Sequence, residues 1–201
     1  KDNKLIRALD FKKLDKKDFL KIFSHLSSIE KNKTSHWKLD KYQIDTSNKV
    51  IRELNIKDRT TMILACGLGK TLIGLNIFQK LAPKLSVVFV PSIALVRQTR
   101  NEWVNKSNTN FRSLVVCSLN DRDFKNDESS FEKVDFNFEI TTNIQRIRQW
   151  ISNNRVSNSV VFCTYQSSKK LCEASKGFKF DFGIYDEAHR TSILNKRLNK
   201  K

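Results

Sequence analysis

One stretch of the chain reads Ala65-Cys66-Gly67-Leu68-Gly69-Lys70-Thr71, and its residue types suit the binding of phosphate. Glycines let backbone N–H groups turn inward around phosphate oxygens, and a helix starting directly afterwards adds partial positive charge. Cys66, Gly67, Leu68 and Gly69 would wrap the ligand through their backbone, and Lys70 brings an ammonium to the outer phosphates. The Thr71 hydroxyl completes an oxygen shell for Mg²⁺. The strict spacing of such loops fails at one place, because Leu64 stands where the first glycine is usual. The competing reading is a plain glycine turn before a helix that happens to carry Lys-Thr.

A second set lies far along the chain, in Tyr185-Asp186-Glu187-Ala188-His189. A carboxylate at the carboxyl end of a buried parallel strand faces the crevice where α/β sheets hold ligands. Placed there, Asp186 holds Mg²⁺ through water and Glu187 orients or deprotonates an attacking water. An Asp-Glu pair taken alone is more often a solvated loop. Its pairing with the phosphate loop gives both sets their weight.

The elements that must position these residues are legible as short apolar, β-branched runs at 61–65, 86–90, 113–117, 159–163 and 181–185. The runs are continuous rather than alternating, as strands buried on both faces of a parallel sheet are. Helical stretches are predicted over 70–81, 93–105 and 144–153, so strand and helix alternate as in a layered α/β domain with right-handed crossovers. From Trp37 to Leu54 a further apolar set, with Tyr42, Ile44, Val50, Ile51 and Leu54, recurs at helical spacing. Residues 1–30 suit one or two short amphipathic helices through Leu5, Ile6 and Leu9, then Phe19, Leu20, Ile22, Phe23 and Leu26. An irregular acidic insertion is expected at 120–138.

The 201 residues hold 38 Lys+Arg against 21 Asp+Glu, a formal charge of +17. A sequence pI near 9.9 suggests a polyanionic partner, since lysines and arginines displace counterions from phosphates. A residue-usage bias with solvated charges explains the same composition. No apolar run approaches the ~18 residues of a membrane span, and no signal peptide is recognisable. Cys66, Cys117, Cys163 and Cys172 have no C-x-x-C spacing, which speaks against zinc and a disulfide scaffold and for a reducing, cytoplasmic setting. In the loop, Cys66 is expected to be a packed small residue rather than a reactive thiol.

Taken together, these motifs resemble the first RecA-like lobe of superfamily 2 helicases and translocases. The loop at 65–71 resembles helicase motif I, and Asp186-Glu187-Ala188-His189 spells the DEAH form of motif II. Leu39-Asp40-Lys41-Tyr42-Gln43 is similar to the segment that reads adenine through its glutamine. The run Val90-Pro91-Ser92-Ile93-Ala94-Leu95-Val96-Arg97-Gln98-Thr99 resembles motif Ia, and Thr164-Tyr165-Gln166-Ser167 resembles a motif that touches a nucleic-acid phosphate. The nearest flavour is that of the translocating subunits of type I and type III restriction enzymes and related phage-defence helicases. A chromatin-remodeller-like loop is the near competitor.

The resemblance implies a RecA-like, mostly parallel sheet with helices on both faces over 37–190. A helical extension and linker (1–36) would precede it, and a basic tail (191–201) would follow. It implies ATP and Mg²⁺ as ligands, with Lys70, Asp186 and Glu187 catalytic, Gln43 and residues 66–71 holding nucleotide, and Thr71 and Asp186 holding metal. Ser92, Arg97 and Thr164 would grip DNA phosphates, RNA being the lesser expectation, and His189 would couple the site to a second RecA-like lobe. Because the chain ends at Lys201, soon after His189, a fragment or truncated product that hydrolyses ATP poorly alone is expected. The alternatives are a non-hydrolysing nucleotide- or nucleic-acid-binding module and an inactive remnant. Ser92 and Thr164 also suit helix capping, and Gln43 a plain helix surface.

Overall fold

The computed structural model describes residues 38–118, 140–156 and 158–188. The chain divides into two compact units, 1–38 and 39–201, and the described residues lie almost wholly in the second. The N-terminal helices, the insertion at 120–138, Trp37, His189 and the tail at 191–201 fall outside the described residues.

In chain order the elements are α1 (Lys41–Leu54), α2 (Lys70–Leu81), β1 (Leu85–Val90), α3 (Ile93–Lys106), β2 (Arg112–Val116), α4 (Ile144–Asn154), β3 (Ser159–Thr164), α5 (Ser168–Ala174) and β4 (Phe182–Tyr185). A 3-10 turn, Tyr165–Ser167, joins β3 to α5. The four strands form one parallel sheet in the order β2-β3-β1-β4. All carboxyl ends therefore lie along one edge. In the register, Val90 pairs with Thr164 and Phe89 with Tyr185, so the residues that follow β1, β3 and β4 emerge side by side.

Burial explains why these runs became strands. Side chains alternate across the sheet, and both faces are covered. On one face Leu85, Val87, Leu114, Val116, Val161 and Cys163 pack with Ile147 and Ile151 of α4 and Leu171 and Ala174 of α5. On the other, fully buried Trp103 of α3 meets Phe162 edge-on at 5.6 Å and Phe78 of α2 at 5.2 Å between centroids. Each such aromatic removes a large apolar area from water, at roughly 25 cal/mol per Å².

Two expectations are corrected, and one element is added. The run 61–65 joins no strand of the sheet: Ile63 is 89% exposed, while Met62 and Leu64 are half-buried. None of the described strands pairs with it, and an apolar run without a ladder partner is not a strand. In α1 the helical period holds, but its buried residues are Gln43 and Ser47, whereas Tyr42 and Ile44 are exposed. Helix α5, which the sequence reading did not mark, spans seven residues and buries Leu171 and Ala174.

Candidate nucleotide site

The loop at 65–71 owes its shape to its two glycines. Gly67 and Gly69 have φ of +82° and +75°, a left-handed conformation that costs other residues about 1–2 kcal/mol. Gly69 is also the N-cap of α2, and its carbonyl accepts from Leu72 and Ile73 N–H at 3.0 Å each. Its missing Cβ matters as well: one built there would stand 2.5 Å from Gln43 Nε2. Cys66 is exposed, which corrects its reading as a packed residue.

Helix α1 braces this loop. Gln43, only 6% exposed, accepts from the Asp40 N–H through Oε1 at 3.1 Å. Its Nε2 donates to Tyr42 Oη (3.1 Å) and to the Leu68 carbonyl (3.4 Å), and Tyr42 Oη donates to that carbonyl at 2.8 Å. The surface reading of Gln43 is thereby corrected, because the residue is buried against the phosphate loop. Tyr42 was legible only as a helix-face apolar residue, although its neighbour Gln43 marked the spot.

At the far side of the loop, Lys70 Nζ lies 3.6 Å from Glu187 Oε1 and donates to the Leu64 carbonyl at 3.5 Å. Thr71, on the first turn of α2, is half-buried, and its carbonyl accepts from Trp103 Nε1 at 3.1 Å. The core thus fixes the start of α2. Gly74 sits one turn further in, where a Cβ would come 3.2 Å from Ile184 of β4.

The acidic turn leaves β4 under tension. Asp186 N–H donates to the Phe89 carbonyl at 2.9 Å, and the next residue, Glu187, has φ of +52°. Left-handed backbone at a non-glycine residue persists only where its surroundings hold it. The Asp186 carboxyl is pushed above its ordinary value, first by burial and then by the charge of Glu187. The Glu187 N–H, donating to that carboxylate, and the charge of Lys70 oppose this shift. Asp186 and Glu187, two carboxylates that repel one another, form a set of hard oxygen donors. The set fits Mg²⁺ and would be relieved by it.

Of the residues assigned to nucleic acid, Ser92 and Thr164 follow or end β1 and β3 on the same edge as Asp186. Ser92 Oγ caps α3 by accepting from Leu95 N–H at 3.3 Å. Arg97 lies on α3, half-buried. Thr164 is 3% exposed and its hydroxyl donates to Ser167 Oγ at 3.2 Å, so it makes no helix cap and offers little surface to a ligand. Its neighbour Tyr165, which the sequence reading quoted without assigning, donates from Oη to the Asp186 carbonyl at 2.6 Å.

Comparisons with known proteins place this geometry among relatives. The family model described as "Type III restriction enzyme, res subunit" matches residues 36–199. A probable helicase of African swine fever virus (isolate Tick/Malawi/Lil 20-1/1983) is 30% identical over 149 residues, covering 74% of this chain and 16% of its own length. A nuclease-deletion mutant of the Type ISP restriction-modification enzyme LlaGI, solved with a DNA substrate mimic, superposes with a TM-score of 0.62 at 34% identity. That match covers 76% of this chain and 15% of the LlaGI chain. The ATP-dependent Type ISP enzyme LlaBIII bound to DNA gives 0.64 at 30%, covering 78% and 11%. The chain spans about a sixth or less of the length of each of these relatives.

Proposed function

The chain belongs to the type III restriction enzyme res subunit family, and on that premise we propose that residues 37–190 are the ATP-binding, first RecA-like lobe of an ATP-dependent DNA helicase or translocase of restriction or phage-defence type. The observation that carries the reading is the meeting of Lys70 with Glu187 at 3.6 Å, at the mouth of a loop shaped by two left-handed glycines.

In this reading the backbone of 66–71 holds the phosphates of ATP, with Lys70 against the outer ones and Gln43 beside the loop to meet adenine. Thr71 and Asp186 are the residues that would hold Mg²⁺, which when bound neutralises charge developing on the phosphate oxygens. Glu187 orients the water whose oxygen bonds to the γ-phosphorus while the bond to the β–γ bridging oxygen breaks, and it accepts the water's proton. Ser92, Arg97 and the turn that follows buried Thr164, with its exposed Gln166, meet the DNA backbone, a contact independent of sequence. A second RecA-like lobe supplies the cation that stabilises the transition state, and His189 links the two.

The test is steady-state ATP hydrolysis with and without duplex DNA, with Lys70→Ala as the blank. Turnover above the blank that rises with DNA supports the reading. Nucleotide bound without turnover, even when DNA and a second lobe are supplied, replaces it with a non-hydrolysing module.

A further inference from the structure

The turn that carries the two carboxylates is gripped from both sides, and one grip comes from a residue with no assigned role. The peptide before Asp186 is fixed by its N–H donating to the Phe89 carbonyl on β1. The peptide after it is fixed by its carbonyl accepting from Tyr165 Oη at 2.6 Å. With both flanking peptide planes held, φ and ψ of Asp186 are set, and so is the entry into left-handed Glu187. The Tyr165 ring is itself immobilised. Phe89 stacks on it at 5.9 Å and 11°, and Tyr185 stacks on Phe89 at 5.0 Å and 22°.

We propose that Tyr165 is the positioning residue of the Asp186–Glu187 turn, and that it ties the geometry of that turn to the occupancy of the Thr164–Gln166 loop by a nucleic-acid strand. Tyr165 stands between buried Thr164 and exposed Gln166, directly after the carboxyl end of β3. A strand that presses on this turn shifts the 3-10 segment, and one hydrogen bond, from Tyr165 Oη to the Asp186 carbonyl, links that segment to the acidic turn. The stack with Phe89 keeps the ring from moving sideways, so displacement is passed along the hydroxyl. The coupling half of this proposal rests on the reading of the chain as a DNA-dependent ATPase. The positioning half does not.

The experiment uses the full chain with Tyr165→Phe, which deletes the hydroxyl and keeps the stack, beside Tyr165→Leu, which deletes both. Amide hydrogen exchange is read first, without ligand. Tyr165→Phe is expected to speed exchange at Glu187, whose N–H donates to the Asp186 carboxylate, by fivefold or more, and to leave the first turn of α2 unchanged. Unchanged Glu187 exchange overturns the positioning role. Equal acceleration throughout the sheet in both variants also overturns it, because the residue would then be merely structural. Hydrolysis is read second. Tyr165→Phe should keep the KM for ATP within twofold, lower kcat several-fold, and abolish the rise in kcat with duplex DNA. A DNA response equal to wild type overturns the coupling. Should wild type fail to bind ATP, or bind it without turnover when DNA and a second lobe are supplied, the ATPase reading and the coupling fall together, and the exchange measurement still decides the positioning.

Discussion

Lys70 Nζ stands 3.6 Å from Glu187 Oε1, although nearly all of the sheet-forming chain separates the two in sequence. The contact is made possible by α2 packing across the sheet towards β4, with Gly74 close against Ile184. It joins the cation of the loop to the strained turn after β4. Both side chains keep roughly a third of their surface open, so the pair is accessible to an incoming anion and cation. A partly solvated pair of this kind contributes little stability. Its value lies in placement.

Lys70→Ala should therefore cost nucleotide affinity more than folding. Fluorescent ATP analogue binding is expected to weaken tenfold or more, because a charge-assisted contact to phosphate is lost. Thermal denaturation should show a Tm within a few degrees of wild type. A large Tm loss with affinity retained would assign Lys70 to structure.

The two loop glycines should respond differently to alanine. Gly67 has open space where a Cβ would go, so Gly67→Ala carries only backbone strain, about 1–2 kcal/mol. Gly69→Ala adds a collision with Gln43 and should cost about 1 kcal/mol more. Combining it with Gln43→Ala should recover part of that excess, a coupling measurable by urea denaturation.

Asp186→Asn should stabilise the ligand-free chain while removing Mg²⁺-dependent activity. The folded chain holds the Asp186 proton more tightly than the unfolded chain does, so stability falls as pH rises through the raised value. Asparagine escapes that penalty and still accepts from the Glu187 N–H. At pH 7 the variant's Tm should exceed that of wild type. The gain should vanish below the ordinary carboxyl value of 3.8, where wild-type Asp186 is protonated in both states. A variant less stable than wild type at pH 7 would mean that the carboxylate contributes net attraction.

DNA binding should fall steeply with salt, and Arg97→Gln should reduce the slope of log K against log salt by about 1, equally for unrelated duplexes. Ser92→Ala should leave that slope unchanged and cost about 1 kcal/mol of stability through the lost cap on α3. A sequence-dependent loss in Arg97→Gln would replace backbone contact with base readout at that residue.

The sequence alone carried the elements that repeat a local rule. Helices α2, α3 and α4 and strands β1, β2, β3 and β4 follow from runs of 4–14 residues whose burial shows in apolar patterning. The types of Lys70, Thr71, Asp186 and Glu187 announced phosphate and metal chemistry, since few other side chains can do it. What only the tertiary structure decided are relationships across the sheet. The run at 61–65 reads as a strand, yet pairing is a property of two segments, and none of the described strands pairs with it. The polar buried stripe of α1 is invisible to apolar periodicity, because Gln43 is buried by hydrogen bonds to Asp40, Tyr42 and Leu68 rather than by hydrophobicity. The seven-residue α5 is too short for its period to register. The hold of Tyr165 on the Asp186 carbonyl depends on two parallel strands with β1 between them, and no spacing along the chain encodes that distance.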